Sequence, residues 1–224
     1  NIVWSTVFAF DTTKFDSAPT TMADFFDTDK FPGKRGLRKN PKANLEMALM
    51  ADGVAAADVY DTLSTAEGVD RAFAKLSSIK DDIVWWEAGA QPPQMLADGE
   101  VAMSTAYNGR LFNAIVNEGK PFEIVWDGQI FDLDLWVVPK GAPNYDDALE
   151  FLAFSTDTKR LADQTNYISY GPARKSSSAL IKPELLPHMP TAPANFTNPL
   201  QNDFQWWADN QEDMNERFNA WLAS

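Results

Sequence analysis

Two carboxylates occupy alternate positions of a predicted strand. Asp132 and Asp134 are separated by one residue, so their side chains share one face about 7 Å apart along the strand. Phe131, Leu133 and Leu135 are predicted to form the opposite, buried face. Like charges at this spacing are costly unless they are solvated or matched to a cation. Three interpretations stay open: a solvated strand edge, recognition of an ammonium group, or the acid pair of a glycosidase.

Aromatic residues are the second candidate for chemistry. Trp85 and Trp86 are adjacent in a predicted strand, so one ring is expected to face the core and the other the opposite face. Core packing is the default for a tryptophan, but rings beside carboxylates form a cation–π box for an amine. The same combination lines carbohydrate sites. Tyr107 ends a predicted strand over 101–107, where ligands bind in open α/β sheets.

Composition and charge exclude several classes of function. The chain has 224 residues, 45% of them hydrophobic, and a net charge of −13, which indicates a core-forming protein and opposes binding to nucleic acid. It has no cysteine and one histidine, His188, between prolines. Zinc sites, thiol nucleophiles and disulfides are therefore excluded, a Ser-His-Asp triad is disfavoured, and no metal site or cofactor is predicted. His188 is expected to face solvent.

One basic cluster stands against the acidic background, namely Lys34, Arg35, Arg38, Lys39 and Lys42. It lacks the interleaved aromatic residues of single-strand binders, so a solvated face is favoured over a nucleic-acid site. No apolar run is long enough to span a bilayer, and no membrane insertion is expected. The absence of cysteine fits an exported bacterial protein.

The alternation of predicted strands and helices indicates a layered α/β fold. Strands are predicted at 2–10, 83–86, 101–107, 122–126 and 132–138, and a turn over 31–37 is predicted to lead into a further short strand. Helices are predicted at 20–26, at 41–52 with Asn40 as N-cap, and at 58–63, 67–79, 94–97, 110–117, 146–154, 157–164 and 204–222. Residues 171–205 are rich in proline and are expected to wrap over a surface.

Five stretches together resemble the spermidine/putrescine-binding proteins of bacterial ABC importers. They are Trp4-Ser5-Thr6, the helix 44–49, residues 98–101 leading to Tyr107-Asn108-Gly109, the strand 130–139, and Tyr170-Gly171-Pro172. Each motif is weak alone, and the order of the elements makes the match specific. The likeness covers nearly the whole chain but only the later part of the family's length.

The resemblance implies a type II periplasmic-binding-protein fold of two α/β lobes joined by crossing strands, with the N-terminal lobe largely absent. Residues 1–131 would supply a crossing strand and the C-terminal lobe. Residues 132–175 would be a returning part of the N-terminal lobe, and 176–224 a proline-rich wrap and a helix back on the C-terminal lobe. A periplasmic location and a permease partner are implied as well.

The same resemblance assigns ligand contacts. It gives Tyr107 the role of the stacking aromatic and Asp134 that of the amine-binding carboxylate, and it places Asp132 where the family has another aromatic residue. Gln205 corresponds to a ligand-contacting glutamine near the last helix. Trp4 and Trp85 are the rings expected to complete the site.

The chain also departs from the family's pattern. The acidic pair at the start of a helix is replaced by Asn40 and Ala43, which cannot neutralise an ammonium, unless Glu87 supplies a carboxylate from the Trp85-Trp86-Glu87 loop. The ligand is therefore expected to be a polyamine or a related organic amine, including a shorter or mixed-charge one.

We expect a non-enzymatic substrate-binding component that captures this amine in a cleft between lobes. A carbohydrate-active hydrolase using Asp132 and Asp134 is the first alternative, weakened because both acids share one strand face instead of flanking a scissile bond. A binding protein for a different small solute is the second.

Overall fold

The computed structural model describes residues 1–224 and contains one mixed seven-stranded sheet. The strands are β1 (Ile2–Asp11), β2 (Arg35–Arg38), β3 (Ile83–Trp86), β4 (Met103–Tyr107), β5 (Phe122–Asp134), β6 (Gly171–Pro172) and β7 (Leu200–Gln201). Their order is β3-β2-β4-β1-β5-β7, and β6 also pairs with β1. The predicted α/β class is confirmed.

The chain also contains ten α-helices. They are α1 (Met22–Phe26), α2 (Asn44–Ala51), α3 (Val59–Leu63), α4 (Ala66–Ser77), α5 (Gln91–Ala97), α6 (Asn108–Phe112), α7 (Tyr145–Ser155), α8 (Thr158–Gln164), α9 (Lys175–Ser178) and α10 (Phe204–Ala223). A π-helical turn, Asn113–Asn117, continues α6. No helix is both long enough and apolar enough to cross a membrane.

The central strand β1 is covered on both faces. Phe8 and Phe10 belong to the larger core cluster, which includes residues of α1 to α4 and α10. Val7 and Ala9 point to the opposite face and belong to a second cluster with residues of α5 and α6. A strand buried on both faces is apolar without alternation, which explains the continuous hydrophobic run at the start of the sequence.

Several predicted boundaries are wrong for local reasons. The helix predicted from Pro41 begins at Asn44, because the Asn40 side chain accepts a hydrogen bond from the backbone of Lys42 and Ala43 has a φ of 73°. The two strands predicted at 122–126 and 132–138 are one strand, β5, which ends at Asp134. Gly128, with a φ of 66°, lies within β5 near a register shift against β1, as at a β-bulge.

The face of β5 predicted to be buried is open at its end. Leu133 is 40% and Leu135 is 72% exposed, because this part of the chain runs past both core clusters. The predicted division into segments 1–131, 132–175 and 176–224 stays a prediction, and β5 runs across the first of these boundaries.

The basic cluster is not a uniformly solvated face, and Arg35 is the clearest exception. Its guanidinium is fully buried and donates to the backbone carbonyls of Phe25, Asp27, Phe31 and Gly33. Burial lowers the pKa of Arg35 to about 10. The side chain therefore ties the segment after α1 to the sheet.

The proline-rich segment is held down by buried amides. The Gln129 side chain of β5 donates to the carbonyls of Pro190 and Asn195, and Asn195 donates to those of Pro187 and Met189. His188 lies in this segment, half-buried against the ring of Phe112 at 5.3 Å between centroids, so the expected solvent-facing position is wrong.

Glu46 is a fully buried acid that joins α2 to α10. Its Oε1 accepts hydrogen bonds from Trp207 Nε1 at 2.7 Å and from the Tyr60 hydroxyl at 3.1 Å, while Oε2 has no partner. Burial raises the pKa of Glu46 above its ordinary value, and these hydrogen bonds only partly oppose the rise. Burial therefore disfavours the charged form of this carboxyl group in the folded protein.

We expect Glu46→Gln to stabilise the protein at alkaline pH. Above the ordinary pKa of 4.5 the unfolded carboxyl loses its proton while the folded one keeps it, so wild-type stability falls as pH rises through this window. Glutamine retains an acceptor and does not titrate. Thermal unfolding should give the variant a higher Tm at pH 8 and a shrinking difference toward pH 4. The exposed Glu212→Gln of α10 is the control, and a lower Tm for Glu46→Gln at pH 8 would contradict a raised pKa of Glu46.

Candidate ligand-binding site

Four side chains meet at one end of β1 and line an open pocket: Trp4, Tyr107, Asp134 and Tyr170. Tyr107 ends β4, Asp134 ends β5, and Tyr170 immediately precedes β6. All three strands pair with β1. The register of one strand therefore brings together residues that are far apart in the sequence.

The rings and the carboxylate of the open pocket contact one another directly. Trp4 Nε1 donates to Asp134 Oδ1 at 3.0 Å, and the rings of Trp4 and Tyr107 pack edge to face with centroids 5.2 Å apart. The Asp134 side chain has no ion-pair partner in the protein. An unneutralised carboxylate beside aromatic rings suits an ammonium group.

An exposed cation lies beside the open pocket and lines a neighbouring one. A Cβ placed at Gly89 would lie 2.9 Å from the Tyr107 ring and 3.9 Å from Arg110 Nε. Arg110 belongs to α6, three residues after Tyr107, and its side chain forms no hydrogen bond or ion pair within the protein. Burial raises the pKa of the Tyr170 hydroxyl, a rise that the charge of Arg110 opposes and that of Asp134 reinforces. The site thus presents an anion and a cation around one phenol ring.

Buried hydrogen bonds position the two tyrosines. Asn108, which follows Tyr107, accepts from the backbone of Ser5 at 3.0 Å and donates to the carbonyl of Ser169 at 2.6 Å. Ser169 directly precedes Tyr170. A single asparagine therefore joins β1, the start of α6 and the segment before β6.

Trp4 also borders a second, more enclosed pocket. We call it the enclosed pocket; its lining includes Arg38, Lys42, Trp86, Asp132 and Asn202. Lys42 Nζ lies 3.7 Å from Asp132 Oδ2. The Tyr107 ring contacts Trp86 at 5.6 Å between centroids and lies 5.9 Å from the Arg38 guanidinium carbon. Trp4 and Tyr107 thus form the wall between the two pockets.

The structure brings four of the seven residues predicted for the site to these pockets. Trp4, Tyr107 and Asp134 line the open pocket, and Asp132 lines the enclosed one. Asp132 and Asp134 share a strand face, opposite Trp4 and Ile2 of β1. Since Asp132 is already close to Lys42, the two acids are not an equivalent pair.

The other three predicted residues lie elsewhere. Trp85 packs against Phe218 and Trp221 of α10, because alternation along β3 turns it to the face opposite Trp86. Glu87 is exposed, with its Oε1 3.8 Å from Lys39 Nζ. Gln205 is exposed on the first turn of α10, and its side chain lines neither pocket.

Sequence reasoning missed several residues that line the pockets. Trp86 takes the place expected for Trp85, and Arg38 and Lys42 were assigned to a solvated face. Tyr170 was noted only within a motif, and no local signal marked Asn202 or Arg110. These residues come together only through the order of the strands in the sheet, which the alternation of apolar residues does not specify.

The fold and the site define a class, an α/β binding protein with a ligand pocket at strand ends. The profile of the bacterial extracellular solute-binding protein family matches residues 1–191. The chain therefore belongs to that family, whose members bind solutes outside the cytoplasm and are not enzymes. The expectation of a non-enzymatic protein is confirmed, and the hydrolase alternative has no support.

Similar proteins include several solute-binding proteins of bacteria. The chain is 49% identical over 221 residues to the gamma-aminobutyric acid-binding protein of Pseudomonas aeruginosa, covering 99% of this chain and 62% of the relative. An ABC transporter substrate-binding protein of Bradyrhizobium japonicum superimposes with a TM-score of 0.88 at 38% identity, covering 99% and 68% of the two chains. The Atu4243-GABA receptor gives a TM-score of 0.85 at 35% identity, covering 99% and 67%.

The resemblance to polyamine-binding proteins holds at the level of the fold. The spermidine/putrescine-binding protein of Streptococcus pneumoniae superimposes with a TM-score of 0.76 at 16% identity, covering 99% of this chain and 68% of that one. The chain spans 62% of the length of its curated relative. The match to the extracellular solute-binding family rests on its profile and not on this likeness, and the ligand is a separate question.

A substitution at Gly109 can test how tightly Tyr170 packs against α6. A Cβ at this position would lie 2.6 Å from Tyr170 Cε1 and 2.8 Å from Ile168 Cγ1. Alanine in place of a helical glycine ordinarily stabilises a protein by about 0.5–1 kcal/mol, but overpacking here should make Gly109→Ala destabilising by about 1–3 kcal/mol. Chemical denaturation measures the sign, and a stabilised variant would show that Tyr170 is not packed against α6.

Proposed function

We propose that this chain is the solute-recognition part of the substrate-binding component of a periplasmic ABC importer, and that its ligand is a small ω-amino acid of the type of gamma-aminobutyric acid (GABA). The observation that carries the proposal is a pair of charges without an ion-pair partner: Asp134 lines the open pocket, and Arg110 lies beside the Tyr107 and Tyr170 rings that line it. A molecule with one ammonium and one carboxylate complements both charges. A diamine complements only one.

The ammonium end is assigned to Asp134 and the surrounding rings. The Trp4 indole donates to one carboxylate oxygen and so orients the group, which leaves its charge for the ligand. Trp4, Tyr107 and Tyr170 present ring surfaces within the same pocket. Cation–π attraction and charge pairing therefore act on one ammonium.

The carboxylate end is assigned to Arg110. A guanidinium can bind a carboxylate through two parallel hydrogen bonds, and no protein group occupies this one. A Cβ at Gly89 would lie 2.9 Å from the Tyr107 ring and 3.9 Å from Arg110 Nε. Because Gly89 has no side chain, a ligand can reach Tyr107 and Arg110 without a steric clash at this position.

The polyamine prediction is disfavoured by charge. Asn40 and Ala43 stand where the polyamine-binding family has acids, and Glu87, the replacement considered, is exposed beside Lys39. The nearby enclosed pocket carries Arg38 and Lys42 against a single acid, Asp132. A second ammonium would therefore meet positive rather than negative groups.

The relatives support the same ligand class. Two of the similar proteins are named for GABA, whereas the polyamine-binding relative shares the fold alone. The permease partner and the periplasmic location follow from the importer role and are part of this proposal.

Replacing Asp134 should remove the ammonium contact. Asp134→Asn is expected to weaken GABA binding by about 1–3 kcal/mol, because a charged hydrogen-bond acceptor becomes neutral. Asp132→Asn is the matched control, since it removes the same charge two residues away, beside Lys42, and should have a smaller effect. Isothermal titration calorimetry measures both, and a larger loss for Asp132→Asn would place the ammonium in the enclosed pocket.

Replacing Arg110 should reverse the charge preference. Arg110→Gln is expected to weaken GABA binding about tenfold or more, and to strengthen binding of putrescine, which has an ammonium where GABA has its carboxylate. The control is Arg71→Gln, which removes an arginine of α4 that is paired with Asp52. Competition binding decides the outcome. If the wild-type protein binds putrescine more tightly than GABA, the ligand is a polyamine and the proposal of an ω-amino acid is wrong.

A further inference from the structure

Asn202 is an unpartnered amide in the enclosed pocket. The residue is 3% exposed, and neither its side-chain nitrogen nor its oxygen has a hydrogen-bond partner in the protein. It lines the pocket with Trp4, Arg38 and Lys42. Buried polar atoms are nearly always paired, so an amide with both groups free points to a ligand that pairs with them.

The position of Asn202 is set by rigid structure on both sides. Its backbone N–H donates to the carbonyl of Phe131 at 2.9 Å, which continues the pairing of β7 with β5. The next residue, Asp203, caps α10 by accepting from the backbones of Gln205 and Trp206. The backbone of Asn202 is thus held between a strand and a helix, and its side chain is buried there.

Two cations accompany this amide. The Arg38 side chain forms no ion pair, and the loop that follows it is held by Asn44, which donates to the carbonyls of Arg38 and Asn40. Lys42 is close to Asp132, the one acid of the pocket. The balance is one positive charge beside a free amide, an arrangement that suits a carboxylate.

The enclosed pocket adjoins the proposed ammonium site. Trp4 lines both pockets and donates to Asp134. A group attached to the nitrogen of a bound ω-amino acid would therefore start beside Trp4, at the border of the enclosed pocket. The unsubstituted molecule has no group there.

We infer that the enclosed pocket is a second subsite for a carboxylate carried on the nitrogen-bearing end of the ligand. Arg38 pairs with this carboxylate, and the Asn202 amide donates to one of its oxygens. The inference rests on the proposed function, since it takes the ammonium to lie at Asp134. It extends the ligand class to N-carboxyalkyl amino acids.

Calorimetry with two matched ligands tests the subsite. GABA is compared with N-(carboxymethyl)-4-aminobutyrate, which keeps the ammonium and carboxylate and adds a carboxymethyl group on nitrogen. We expect the wild-type protein to bind the second compound about tenfold or more tightly. In Arg38→Gln and Asn202→Leu the ratio of the two Kd values should fall toward one. Lys39→Gln, a neighbouring cation paired with Glu87 outside the pocket, should leave the ratio unchanged.

A second measurement needs no ligand. An amide kept for ligand binding is a cost to the free protein, so Asn202→Leu, of similar volume, should raise Tm by about 2–4 °C. A lower Tm would show that Asn202 has a structural role and would overturn the inference.

The outcomes separate the two proposals. If the wild-type protein binds GABA but shows no preference for the carboxymethyl compound, or if the preference survives in both pocket variants, the subsite is wrong and the proposed function stands. If the wild-type protein binds neither compound, both are wrong.

Discussion

The antiparallel pairing of β1 with β4, β5 and β6 is the constraint on which the rest of the structure depends. It sets Trp4, Tyr107, Asp134 and Tyr170 around one pocket. A slip of one residue would turn Trp4 to the other face. Because β1 is buried on both faces, such a slip would disrupt the packing of both core clusters. The free energy lost in this way keeps the strand register, and with it the geometry of the site, fixed.

Polar side chains around the sheet divide into two groups. Arg35, Asn108 and Gln129 donate hydrogen bonds to backbone carbonyls of neighbouring segments. They therefore order the segments that carry the site. Arg38 and Asn202 have no such partners and line the enclosed pocket, and the exposed Arg110 lies beside the Tyr107 ring. The distinction separates the groups that build the site from those available to a ligand.

The fold alone does not choose the ligand. A polyamine-binding protein and a protein named as a GABA receptor both superimpose on the chain, and one fold can carry sites for different ligands. In the function we propose, the charges around the pocket select the ligand. A carboxylate at Asp134, with cations at Arg110 and in the enclosed pocket, would favour a ligand that carries both signs.

Local pattern in the sequence was enough for the α/β class, for Tyr107 at a strand end, and for Asp132 and Asp134 on one strand face, because periods of two and 3.6 residues and turn residues act over short distances. The tertiary structure decided that Trp86 rather than Trp85 faces the pocket, that Arg38 and Lys42 leave the solvated face, and that Asn202 is buried without a partner. These outcomes depend on which strands are neighbours and which helix covers each face. That order is a property of long-range packing, so no local pattern encodes it.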